Sequence, residues 1–194
     1  MYWFDPFSLN QHPTPTGTVP TEELISAFGD RIEEFEATLI VASPWDNPAF
    51  LARAWCLFEY MCSYNARKPI TILLPRQQEE AFAKGLGDNF RVIYEALGRI
   101  DSRKAEAKED ADLKAINALV ERTVSHGGLN KMAMEAMRKW LVETGFEQER
   151  RLRAGGKARR QDLLGLSIFA LNYVAATGTV GRRRTCGEGM PGRP

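Results

Sequence analysis

Two short apolar runs constrain this chain most: residues 38–42 (Thr-Leu-Ile-Val-Ala) and 69–74 (Pro-Ile-Thr-Ile-Leu-Leu), with 26 residues between them. A tight turn cannot join runs so far apart. A helix-patterned connection can, and it makes the two strands parallel. The intervening segment supplies that helix. Residues 48–66 place Leu51, Ala54, Phe58 and Met61 along one face, the repeat expected of an amphipathic helix. The first run stops at Ser43-Pro44 and the second at Pro75, both strand breakers.

The same reading extends to both sides. Residues 2–9 are aromatic-rich and apolar and end at Asn10 and the Pro13, Pro15, Gly17, Pro20 group, which reads as a strand followed by a loop. Thr21 is placed to cap a helix, with Glu22 and Glu23 in its first turn and Leu24, Ile25, Phe28, Ile32 and Phe35 at helical spacing. Beyond Pro75 the pattern is helical. Residues 77–97 form a helix broken at Gly85–Gly87, residues 106–124 a second, and residues 129–146 a third after a stop at Gly127-Gly128. A fourth strand is placed near residues 100–105. The expected fold class is therefore α/β, with a mostly parallel sheet of three to four strands and a helical C-terminal half. Residues 1–105 form the α/β core, 106–177 a helical extension, and 178–194 a basic tail with too few apolar anchors to order it.

Composition narrows the class. At 194 residues, 44% apolar and net charge +1, the chain has enough apolar material for a core and too little net charge for a disordered chain. Three cysteines, Cys56, Cys62 and Cys186, make no disulfide framework and suit a reducing compartment. No signal peptide is read, and the longest apolar stretch, residues 163–176, is too short to span a bilayer. A cytoplasmic protein is expected. Residues 1–97 hold 7 Lys/Arg against 13 Asp/Glu, and residues 150–194 hold 10 against 2. The basic clusters lack interleaved aromatics, so no nucleic-acid partner is expected.

Metal chemistry is not expected: the histidines are His12 and His126, and Cys56 and Cys62, six apart on a helix, face different directions. Nucleophilic catalysis by Ser or Cys lacks a local base. The Met132, Met134, Met137 group reads as core. The informative stretch is the end of the first apolar run and the helix after it. Ligands in open parallel sheets bind at the carboxyl ends of strands, the place taken by Ser43-Pro44-Trp45-Asp46-Asn47-Pro48. On the following helix Trp55 and Glu59 stand at i and i+4. From residues alone Glu59 reads as a rim carboxylate paired with Arg53 or Arg67.

Trp3-Phe4-Asp5, the amphipathic helix, the strand ending in Ser43, and Arg53-Ala54-Trp55-Cys56-Leu57-Phe58-Glu59-Tyr60 followed by Ile70–Pro75 together resemble a plant-type TIR (Toll/interleukin-1 receptor) domain. The opening Trp3–Gln11 is also similar to the signature of fungal heterokaryon-incompatibility domains. The resemblance covers roughly residues 2–75 and has the chain begin at the family's second strand. That leaves either a truncated sequence or a first pair of strands joined directly. It implies a flavodoxin-like fold and signalling through protein partners and self-association. It also implies, in some members, cleavage of NAD as substrate at the nicotinamide–ribose bond, with no bound cofactor. On that implication Glu59 is the catalytic carboxylate, and Trp55, Ser43, Trp45 and Asp5 contact the substrate. A non-enzymatic assembly module leads, NAD hydrolysis is the alternative, and an inactive fragment of a larger signalling protein is the third.

Overall fold

The computed structural model describes residues 19–88, 95 and 97–154. Among these, the elements in chain order are α1 (Thr21–Arg31), β1 (Thr38–Val41), α2 (Ala54–Asn65), β2 (Ile70–Leu73), α3 (Glu79–Asp88), α4 (Asp110–Thr123) and α5 (Ser125–Ala154). Short 3₁₀ turns at Ala49–Ala52 and Ser102–Lys104 lie between them. The molecule is α/β and mostly helical. No helix among the described residues is long and apolar enough to cross a membrane.

β1 and β2 pair in parallel, Thr38 opposite Ile70 through Val41 opposite Leu73, and α2 is the crossover between them. The parallel unit expected from the spacing is present. The larger sheet is not: two strands are found among the described residues, and the expected strand at residues 2–9 lies outside them. Residues 100–105 form no strand. Asp101 caps a 3₁₀ turn there by accepting from Arg103 N, and the chain then makes a single parallel bridge, Arg53 to Glu106.

Strand alternation divides the sheet into two unlike faces. Ile40, Ile70 and Ile72 are packed against the cores. Leu39, Val41 and Leu73 are 56%, 55% and 43% exposed on the other. The core falls into two clusters. One lies beyond the carboxyl end of the sheet and holds Ala42, Trp45, Phe50, Phe82, Met137, Trp140 and Leu141. The other joins α1, α2, α4 and α5 through Phe28, Leu57, Phe58, Met61, Ile116, Val120 and Leu129.

At Thr21, Gly85 and Gly127-Gly128 the helices depart from the sequence expectation. Pro20 holds the N-cap position of α1. The Thr21 hydroxyl, buried, donates instead to Asp112 Oδ1 at 2.5 Å. α3 runs through Gly85, and a Cβ there would stand 2.4 Å from Trp45 Cζ2, so the glycine makes room for the indole. Gly127 and Gly128 sit in the first turn of α5. The break falls just before them at Ser125, which adopts φ 62° and whose Oγ accepts from Gly128 N at 3.1 Å, a side-chain cap.

Candidate functional site

α2 carries the two residues that the sequence pairs, Trp55 and Glu59. The helix enters from the loop after β1 and returns toward the amino end of the sheet, where Ser63 meets β1. Thr38 Oγ1 donates to Ser63 Oγ at 2.7 Å, and Ser63 Oγ donates to the Glu59 carbonyl at 2.7 Å. Glu59 is half-buried midway along α2. Burial first, then the Glu59 charge, pushes the Cys62 thiol up to about 12. That thiol is protonated and a poor nucleophile at neutral pH.

Trp55 is turned toward α1 and α4. Its Nε1 donates to Asp112 Oδ2 at 3.0 Å, and its ring stands edge-on to Phe58 at 5.7 Å. Phe58 in turn packs on Phe28 at 5.6 Å. The Asp112 carboxylate thus holds a threonine of α1 and a tryptophan of α2 from the first turn of α4, where the helix dipole favours an anion. This clamp joins three helices. Nothing local in the sequence links residues 21, 55 and 112, so no spacing signals the role of Asp112.

Trp45 sits elsewhere. It is buried in the carboxyl-end cluster, edge-on to Phe82 at 5.2 Å, and its backbone N donates to Gln78 Oε1 at 3.2 Å. Ser43 is half-buried in the same loop, precedes a cis proline, and its carbonyl accepts from Ala49 N at 3.1 Å. Cys56, adjacent to Trp55, packs on the Trp45 cluster while Trp55 packs on the other, as a 100° step per residue requires. The structure therefore brings Trp55 and Glu59 onto one helix and Ser43 and Trp45 into one loop. It places the two indoles in separate cores. Asp5 lies outside the described residues.

The base that Ser/His chemistry lacks locally is supplied at long range. Ser102 Oγ lies 2.8 Å from His126 Nδ1, 24 residues on, a distance within reach for proton transfer. Both side chains are buried, at 4% and 7% exposure. Ser102 N donates to Asn130 Oδ1 at 2.8 Å, and His126 N donates to Glu121 Oε2 at 3.1 Å. Every bond closes on the protein itself, so the arrangement pins the 102–104 turn to the start of α5 and leaves Ser102 no approach for a substrate. Among the described residues no three His, Cys, Asp or Glu side chains gather as a metal site.

No family model, curated protein or solved structure matches the chain.

Proposed function

We propose that the chain is a TIR-like signalling or assembly module that acts through protein–protein contacts. The observation that carries this reading is the uncovered sheet face. Parallel sheets are ordinarily buried on both sides, yet Leu39, Val41 and Leu73 stand exposed together. An apolar patch on strands of this kind fits a contact surface. The β1–α2–β2 unit, with Arg53 to Tyr60 on its crossover, supports the resemblance on which the signalling role rests. Sedimentation over a concentration series tests it. Val41→Glu is expected to weaken self-association or partner capture while circular dichroism stays unchanged. Equal association by both proteins refutes this surface.

The second reading, NAD cleavage, is favoured by one observation: Glu59 and Trp55 share α2. A fixed carboxylate stabilises the oxocarbenium character that develops on the ribose as the nicotinamide bond breaks. Nicotinamide release by the chain, lost by roughly 10²–10³ in Glu59→Gln, supports this reading. No release by the unaltered chain refutes it and leaves the assembly role standing.

A further inference from the structure

We propose that the hollow at the turn from α2 into β2 is a binding site for an aryl phosphate, an aromatic ring that bears one phosphate group. The hollow is lined by Tyr64, Asn65, Arg67 and Lys68, has a volume of about 450 Å³ and opens to solvent. That size lies within the roughly 300–1,000 Å³ of small-molecule sites. It shares no residue with the exposed sheet face and stands apart from the contact role proposed for that face.

The lining is complementary to such a ligand. Arg67 and Lys68 are consecutive cations, and among the described residues neither is paired with a carboxylate. Lys68 Nζ donates to the Glu33 carbonyl at 2.7 Å, which positions the ammonium and leaves two of its three donors. The guanidinium fork of Arg67 matches phosphate oxygens. Tyr64 rests on Tyr60 at 6.3 Å between ring centroids and is still 50% exposed, so part of its side chain is open to a second ring. Asn65, also exposed, adds an amide donor. The backbone amides of the turn are already used: Ala66 N, Arg67 N and Lys68 N donate to the Cys62, Tyr64 and Ser63 carbonyls. The side chains therefore do the binding.

Backbone strain is an independent sign. Arg67 adopts φ 55°, a conformation that glycine takes at no steric cost and an arginine takes at the expense of stability. Strained positions of this kind cluster at ligand clamps. The surroundings limit the ligand to one phosphate. Glu33 and Glu34 form the 3₁₀ turn whose carbonyl Lys68 holds, Glu36 follows, and residues 1–97 carry 13 Asp/Glu against 7 Lys/Arg. That field repels a polyanion such as nucleic acid, whereas one phosphate seated on two cations is attracted at contact range.

Titration of the full chain with phenyl phosphate near neutral pH, followed by backbone amide NMR shifts, tests the proposal. Inorganic phosphate and phenol serve as the two half-ligands. Shifts should centre on residues 64–68, with phenyl phosphate bound severalfold tighter than inorganic phosphate and about tenfold or more tighter than phenol. Arg67→Gly should weaken phenyl phosphate by about tenfold or more. The same change relieves the left-handed backbone, so an undiminished urea midpoint shows that the loss is not unfolding. Tyr64→Leu should bring phenyl phosphate down to the level of inorganic phosphate. Arg138→Ala removes an exposed cation on α5 and should leave binding unchanged. A tripeptide with a central phosphotyrosine assigns the source of the ligand: tighter binding than phenyl phosphate marks a phosphotyrosine side chain of a protein partner, and equal or weaker binding marks a free aryl phosphate. Absence of phenyl phosphate binding overturns the proposal. So does binding no tighter than that of inorganic phosphate, undiminished binding by Arg67→Gly, or an equal loss in Arg138→Ala, which marks diffuse electrostatic attraction.

Discussion

Gly85→Ala opposes two effects of known size, and the structure decides which one wins. In an exposed helix interior this change stabilises by about 1 kcal/mol. In α3 the new Cβ would stand 2.4 Å from Trp45 Cζ2 and 2.9 Å from Cη2. Carbon atoms in contact prefer about 3.5–4.0 Å, so the ring must move by an ångström or more. It has little freedom to do so. Trp45 is 6% exposed, its ring is set edge-on to Phe82 at 5.2 Å, and its backbone N is held by Gln78. Overpacking a filled core costs about 1–3 kcal/mol. The net expectation is a loss of up to about 2 kcal/mol, seen in urea as a lower midpoint at unchanged slope. The control is Gly29→Ala in α1, where an added Cβ meets nothing within 4 Å. It should raise the midpoint by an amount worth about 1 kcal/mol. In a Trp45→Leu background the Gly85→Ala change should turn stabilising, because the opposing ring is gone. A midpoint that rises equally for both glycines in the unaltered background would refute the placement of Trp45 against α3.

Three further outcomes follow from the described contacts. Arg67 occupies the left-handed region at φ 55°, with its N bonded to the Tyr64 carbonyl and Lys68 N to the Ser63 carbonyl, a helix-ending motif that glycine prefers. Arg67→Gly should therefore stabilise by about 0.5–1 kcal/mol in urea unfolding. Asp112→Ala strands the Thr21 hydroxyl and the Trp55 indole together and should cost about 2–3 kcal/mol, with Trp55→Phe costing less once Asp112 is gone. Burial holds both the Tyr60 phenol and the Cys62 thiol at about 12, against ordinary values of 10.0 and 9.0. The unfolded chain then loses these protons first, so the stability they contribute is intact below about pH 8.5 and falls as pH rises toward 12. Urea midpoints from pH 8 to 11 should decline less steeply in Cys62→Ser, and an equal decline would refute the assignment.

The local and periodic features of this protein are legible in its amino-acid order. The two apolar runs, their separation, and the 3.6-residue repeat of Leu51, Ala54, Phe58 and Met61 dictate a parallel β1–α2–β2 unit, because backbone pairing and amphipathic burial act over short stretches of chain. The i, i+4 placement of Trp55 and Glu59 on α2 follows from the same periodicity. Where each side chain finds its partner depends on the assembled fold. Glycine at 85 and at 127–128 signals a helix stop locally, yet α3 continues past Gly85, which admits the Trp45 ring, and α5 begins just before Gly127 with Ser125 as its cap. Trp45 and Trp55, close in sequence, part into different cores because the loop and the helix that hold them face different neighbours. Asp112 reaches Thr21 and Trp55, and His126 reaches Ser102, only across separations of 91, 57 and 24 residues. Such contacts depend on the shape of the whole fold, which no local pattern encodes.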